Sequence, residues 1–288
     1  MTRLRRYLPA YALIAPAVIL WALMAAGPLA MGLYLSLCEL SLDHDRYIGL
    51  ANYARLLADP AFRRALRNTL VYVALIVPVL QVTSLSLALL AHSVGGRLKG
   101  ALRSTCYVVT VLSGVFTMGL WRWFWHPTPT GGINAYMAAL GLPTVNWLAR
   151  PSTAFAALVV TTVAWNYGGG FVLYLAGLDG QDRAMHDAAK VDGASAWQRL
   201  RHVTVPLLRR VVLYQVIIGS IGLVQIWEVI AILTGGGPSG STRSMGYYLF
   251  EAAALRGQFG EASAVAVIEL GIILALVGVQ NVALRERG

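Results

Sequence analysis

The chain alternates long apolar runs with short polar intervals. Pro9 to Cys38 carries no charge, and Asn68 to Ser93 has only His92 as an ionisable group. Ser104 to Trp121 and Pro151 to Leu178 are uncharged, and Val211 to Leu233 and Ala262 to Leu284 contain one acid each, Glu228 and Glu269. A bilayer-spanning helix needs about 20 mostly apolar residues. The pattern therefore predicts an all-α integral membrane protein, one membrane domain over residues 1–288. Its six transmembrane helices are expected near 10–38, 68–93, 104–125, 152–178, 211–234 and 262–284. The composition agrees: 57% of the residues are hydrophobic and 12% charged, against about 25% charged in a soluble domain. The first run follows "RLRR", as in a signal peptide. It is too long for a signal core of about 7–15 residues, so a membrane helix is expected there.

The net charge of +10 is better explained by the enrichment of basic residues in cytoplasmic loops than by nucleic-acid binding. With the N-terminus inside and six alternating helices, Arg3, Arg5, Arg6, Arg97, Lys99, Arg103, Arg183, Lys190, Arg199, Arg201, Arg209, Arg210, Arg285 and Arg287 face the cytoplasm, 14 of the 23 basic residues. An N-in, C-in topology is expected. Cys38 and Cys106 lie at or inside predicted helices and read as apolar packing, not as a disulfide framework.

The outer intervals have order of their own. "NYARLLADPAFRRALRNTL" (52–70) reads as a short interfacial helix broken at Asp59-Pro60. Residues 126–151 hold a short apolar helix between turn residues, and "LTGGGPSGST" ends the fifth helix. Tryptophan gathers at membrane interfaces, so "WRWFW" (121–125) reads as an interfacial belt.

An ionisable group within a membrane helix is costly and usually faces the bundle interior or a water-filled path. Glu228 fits either a place on a substrate path or a structural hydrogen bond, and Glu269 either a structural role or a proton relay. Asn166, Tyr167, Gln225 and Glu228 are candidates for the substrate path. The chain has no metal-ligand spacing, nucleophile elbow or P-loop. Energy for transport must then come from a gradient or from another subunit.

The segment "HDAAKVDGASAWQRLRHVTVPLLRR" (186–210) is the polar exception. Asp182 to Val191 is helix-forming, Asp192-Gly193 makes a turn, and Ala194 to Val205 forms a second short helix before Pro206. A connection of this length (179–210) exceeds what two neighbouring helices need. It is expected to be a cytoplasmic helix-turn-helix whose small residues, Ala188, Ala189, Gly193, Ala194 and Ala196, admit a partner.

This segment resembles the EAA loop of ABC importer permeases. Asp187-Ala188-Ala189 stands where that family has Glu-Ala-Ala, and Asp192-Gly193-Ala194 and Pro206 fall at its spacing. "IGLANYARLLADPAFRRALRNTL", "GGINAYMAALGLPTVNWL", "LAGLDG" and "ILTGGGPSGST" are similar to the carbohydrate-uptake branch, the relatives of maltose and glycerol-3-phosphate permease subunits. The resemblance covers nearly the whole chain. The sequence departs from it at Asp187, which shortens the acid's reach, and at Thr110, where many relatives have proline.

The resemblance implies a non-enzymatic subunit of the bacterial or archaeal cytoplasmic membrane that imports a sugar or sugar-like solute. It implies a second permease subunit, two ATPase subunits that bind the ATP and Mg, and an extracytoplasmic solute-binding protein. Asp187, Ala188, Ala189, Asp192, Gly193, Ala194 and Pro206 would couple to an ATPase. Glu228 falls where relatives often carry an acid. The alternative is an ion-coupled secondary transporter that uses Glu228 or Glu269.

Overall fold

The computed structural model describes residues 2–40, 45–94, 96–111 and 114–284. Arg285 and Arg287 of the predicted inner surface lie outside them. In chain order, α1 (Thr2–Trp21) passes through a π-helical turn, Ala22–Ala26, into α2 (Gly27–Leu35). Strands β1 (Cys38–Leu40) and β2 (Asp45–Tyr47) and helix α3 (Ala51–Ala58) precede the long α4 (Pro60–Ser93). Then come α5 (Gly96–Val111), α6 (Gly114–Phe124), α7 (Gly132–Ala139) and α8 (Pro151–Asp179). The polar segment holds α9 (Arg183–Val191), α10 (Ala196–Arg199), a π-helical turn Leu200–Thr204 and α11 (Val205–Leu207). Helices α12 (Arg209–Val224), α13 (Glu228–Leu233), α14 (Met245–Phe250) and α15 (Phe259–Leu284) complete the chain.

Four stretches are long and apolar enough to cross a membrane: Tyr11–Leu35, Pro60–Ser93, Pro151–Asp179 and Phe259–Val282. A fifth is added if Ala196–Leu207 and Arg209–Val224, bent by 69°, count as one. The third predicted span falls on α5 and α6, on either side of residues 112–113. The fifth falls on α12 and α13, which are separated at Gln225 to Trp227. The second begins earlier than predicted. Asp59 is extended (φ −72°, ψ 117°), as a residue before proline prefers. Pro60 then starts a helix that carries Arg63, Arg64 and Arg67 ahead of the apolar run.

The chain folds as two compact units, Met1–Pro60 with Tyr248–Leu270, and Ala61–Tyr247 with Gly271–Gly288. In the first unit, β1 and β2 pair antiparallel with Glu39 opposite Arg46. Buried Asn52 ties α3 to this ribbon, its Nδ2 donating to the Ser36 and Cys38 carbonyls at 2.9 and 2.8 Å. Tyr248 Oη lies 2.8 Å from both Asp59 Oδ2 and Glu261 Oε1, and the Arg256 guanidinium sits over the Tyr248 ring. Burial and these carboxylates push the Tyr248 hydroxyl well above its ordinary value. No residue in the most apolar stretch of Tyr11–Leu35 is buried within the chain, so these apolar side chains face outward.

The second unit is held at two ends. At one, His92 Nδ1 and Lys99 Nζ both reach Asp179 Oδ1, at 2.9 and 2.6 Å. The C-terminal ends of α4 and α8 therefore lie together, with the start of α5 beside them. An apolar cluster of Ala88, Ala91, Phe171, Tyr174, Leu175, Leu178 and Leu208 lies in the same part of the unit. Gly177 makes room there: a Cβ on it would sit 2.7 Å from Leu208 Cδ2. At the other end the Gly-Pro loop after α13 folds onto the start of α4. Asn68 Nδ2 faces the carbonyls of Gly240, Ser241 and Arg243 at 3.2, 3.1 and 2.9 Å, and Tyr72 donates to the Thr242 carbonyl at 2.9 Å. Backbone acceptors in a buried loop need donors, and α4 supplies them.

The tryptophan cluster divides. Trp123 is exposed, as a belt residue would be. Trp125 is only 4% exposed and donates from Nε1 to Thr161 Oγ1 at 2.9 Å, with Trp147 edge-on at 5.8 Å. Residues two apart on a helix point nearly opposite ways, which separates these two rings.

Candidate functional site

A cavity of about 620 Å³ opens in the second unit between α4, α8, α12 and α13. Its walls combine small and polar residues at helical spacing with the aliphatic side chains of Leu80, Leu173, Ile218, Leu223, Ile226 and Val229. Gln81 and Ser84 come from α4, Thr162, Asn166, Gly169 and Gly170 from α8, and Gln215, Gly219 and Gly222 from α12. Residues three or four apart share a helix face, so each helix turns one polar strip toward the cavity. Trp165, Tyr214 and Trp227 add aromatic faces.

The polar groups are held by one another. Tyr174 donates to Gln81 Oε1 at 2.7 Å, and Gln81 Nε2 donates to the Gln215 carbonyl at 3.3 Å. Ser84 Oγ donates to the Tyr167 carbonyl at 2.9 Å. Gly170 allows this closeness, since a Cβ there would lie 2.7 Å from both Ser84 Oγ and Gln215 Nε2.

The helix break at Gln225 to Trp227 forms another part of the wall. A broken membrane helix frees backbone groups that must be satisfied by protein or by water in a cavity. Ser244 Oγ donates to the Ile226 carbonyl at 2.5 Å. Gly246 fits against the same turn, where a Cβ would lie 2.8 Å from the Gln225 carbonyl oxygen. Chain restarts as α13 at Glu228, whose half-buried carboxylate lines the cavity. Gly114 of α6 packs against it: a Cβ there would be 3.1 Å from Glu228 Oε2 and 3.0 Å from Trp165 Cη2.

Of the residues expected on a substrate path, Asn166, Gln225 and Glu228 line this cavity. Tyr167 does not; its ring packs against the apolar cluster and only its carbonyl meets Ser84. Neighbouring helix positions are turned apart by about 100°, so Asn166 and Tyr167 face different surroundings. Gln81, Ser84, Trp165 and Gln215 were missed. Their signal was the strip of polar and small residues at spacings of three and four inside otherwise apolar runs. Glu269 is 5% exposed, and its Oε1 has no hydrogen-bond partner among the described residues.

The polar segment is a second feature. Asp182 caps α9, accepting from the Ala184 amide at 2.9 Å. Gly193 turns the chain at φ +74°, a backbone region glycine enters without the usual side-chain clash. Ser195 and Gln198 then form a reciprocal capping box on α10. Gln181 reaches the Thr204 carbonyl at 3.1 Å and Arg199 the Ala194 carbonyl at 2.6 Å, closing the segment on itself. Asp187, Ala188, Asp192, Gly193 and Pro206 are exposed, and Ala189 and Ala194 are half-buried. Asp187 pairs with Lys190 at 2.8 Å, which holds its carboxyl below the ordinary range. Val191, Trp197 and Met185 are exposed by 88, 66 and 50%.

A cavity with polar groups on its wall, set between two membrane-length helices and the broken α12–α13, and a folded polar segment between α8 and α12 are features of a membrane transport subunit. The chain belongs to the family of binding-protein-dependent transport system inner membrane components, whose model matches residues 48–284. It is a permease subunit of the inner membrane, and ATP hydrolysis resides in a separate partner.

The chain is 29% identical over 280 residues to the lactose transport system permease protein LacF of Rhizobium radiobacter, covering 95% of this chain and 93% of that one. It is 30% identical over 270 residues to the sulfoquinovosyl glycerol transport system permease protein SmoG of Agrobacterium fabrum, covering 93% and 87%. The trehalose/maltose transport system permease protein MalF of Thermococcus litoralis is 30% identical over 231 residues, covering 80% and 77%. Among solved structures, a chain of a bacterial ABC transporter that imports the acidic polysaccharide alginate has the same fold. Its TM-score is 0.86 at 22% identity, over 99% of this chain and 97% of that one.

Proposed function

We propose that this chain forms half of the translocation path of an ATP-driven importer for a sugar or sugar-like solute. Six spans would run N-in and C-in as one membrane domain, with α5 and α6 together as the third and the broken α12–α13 as the fifth. The shared end of α4 and α8 at Asp179 supports the alternation, since both helices then run inward to the basic side. A second permease subunit, two ATPase subunits holding ATP and Mg, and a solute-binding protein would complete the assembly. Residues Asp187 to Ala194 and Pro206 would dock on an ATPase. Their support is a self-capped helical pair with exposed apolar side chains beside the acid and the glycine turn.

The observation that carries the solute class is the cavity wall. The exposed amides of Asn166 and Gln225 lie on the same wall as the rings of Trp165 and Trp227, with Gln81 and Ser84 bonded within the chain behind them. Polyhydroxy solutes need such a mixture, hydrogen-bond partners at the rim and flat apolar faces for the ring C–H groups. Sugar permeases among the relatives support the same reading. ATP-driven uptake of labelled lactose, maltose and trehalose by the complete importer in proteoliposomes tests it. Trp165→Ala and Gln225→Ala should each lower uptake about tenfold or more, with the complex still assembled. Unchanged uptake in both would remove the cavity from the path.

A further inference from the structure

Resting on the reading of the cavity as a sugar path, we propose that it takes uncharged solutes and rejects anionic ones, with Glu228 as the residue that sets this choice. Glu228 is the one acid among the described residues lining the cavity, and no arginine, lysine or histidine joins it there. All other polar groups on the wall are amides, hydroxyls and indoles. On this chain's half of the path, a phosphate, sulfonate or carboxylate on the solute would meet a carboxylate and no counter-charge.

The basic residues nearest in sequence do not alter this balance. Arg209 and Arg210 precede Tyr214 by about one turn of α12. From Tyr214 the helix runs on to Val224 before the break that leads to Glu228, about 15 Å at a helical rise of 1.5 Å per residue. Arg243 lies beside the segment that seals the helix break, but does not line the cavity. The Glu228 carboxylate lies on the cavity wall beside Gly114, where an occupant would meet it.

A cavity of about 620 Å³ leaves an anionic substituent of its occupant about 6–10 Å from Glu228, and like charges at that separation, with an effective dielectric near 20, weaken association by about 15- to 100-fold. Discrimination of that size makes a specificity determinant. The solutes named for the relatives lie on both sides of this line: lactose and trehalose are neutral, whereas a sulfoquinovosyl compound is anionic.

The test is equilibrium binding to the permease–ATPase complex in lipid nanodiscs, without the solute-binding protein, so that protein's own selection does not enter. The probes are matched pairs: lactose and lactobionate, maltose and maltobionate, trehalose and trehalose 6-phosphate. The neutral member of at least one pair should bind at least about tenfold more tightly than its anion. In Glu228→Gln that ratio should shrink about tenfold, while Glu228→Asp should retain most of it. Anion binding equal to or tighter than neutral binding in the wild type would overturn the proposal, as would an unchanged ratio in Glu228→Gln. Binding of no probe, neutral or anionic, would instead defeat the sugar reading itself and this inference with it.

Discussion

The cavity wall and the α9–α10 segment are both polar interruptions of an apolar chain, yet they leave opposite chemistry uncovered. Around the cavity, Tyr174 donates to Gln81, Gln81 and Ser84 donate to backbone carbonyls, and amides such as Asn166 and Gln225 remain exposed to the opening. In the α9–α10 segment, caps and side-chain bonds satisfy the backbone locally, and apolar Val191, Trp197 and Met185 stay exposed. The first region offers hydrogen bonds to something polar and small. The second offers buriable surface to something large. Polarity in a hydropathy profile marks both; what each leaves unburied is the ground on which we propose one as a receptacle and the other as a docking surface.

The largest effect that would break this comparison is expected at Trp197. Buried aromatic anchors at interfaces contribute about 2–4 kcal/mol, so Trp197→Asp should reduce co-purification of the ATPase subunit at least about thirtyfold. The thermal unfolding of the permease should stay unchanged, because this side chain is 66% exposed within the chain. Retained ATPase association would make the segment a connector.

Cavity shape comes next. In Gly170→Val the added atoms collide with Ser84 and Gln215, and overpacking costs about 1–3 kcal/mol. The variant should lose most solute uptake and keep ATPase binding. A variant that loses both would join the two regions into one element.

Gly193 sharpens the other side. A Cβ there meets nothing within 4 Å, but φ is +74°. Gly193→Val should therefore destabilise the turn by about 1–2 kcal/mol, whereas Gly193→Asn, which tolerates this backbone region, should cost less. Coupling, read as solute-stimulated ATP hydrolysis, should follow the same order if the turn's geometry matters. If bulk against the partner matters, both variants should fail.

The smallest effect is expected at Asp187. Lys190 lowers its carboxyl from the ordinary range. A carboxyl lowered in the fold contributes at pH above its unfolded value and loses that contribution only as pH falls through the folded one. The pair should therefore persist between pH 8 and pH 5. Asp187→Asn should leave permease stability unchanged, measured by thermal unfolding at both pH values.

Much of this architecture was legible. Charge-free runs located the membrane-length helices, and the Asp182 cap, the Gly193 turn and the short helices around it followed from residue type and spacing. Asn166, Gln225 and Glu228 stood out as polar groups in apolar surroundings. The break after Val224 was not legible, because neither Gln225, Ile226 nor Trp227 is a helix breaker. It depends on Ser244 and Gly246, which are distant in sequence and satisfy the freed turn. Gln81 and Gln215 were hidden for a related reason. A single amide in an uncharged run is unremarkable until the fold places three such strips around one space. Tyr167 shows the converse, since polarity and adjacency to Asn166 could not tell which way its ring points.

The most direct test of the account is uptake in proteoliposomes under two regimes. The complete importer with its solute-binding protein and internal ATP should accumulate solute, and removal of ATP or of the ATPase subunits should abolish accumulation. The permease chain alone should accumulate none under a proton or sodium gradient. Gradient-driven accumulation by the single chain, lost in Glu228→Gln or Glu269→Gln, would contradict the account and establish an ion-coupled transporter.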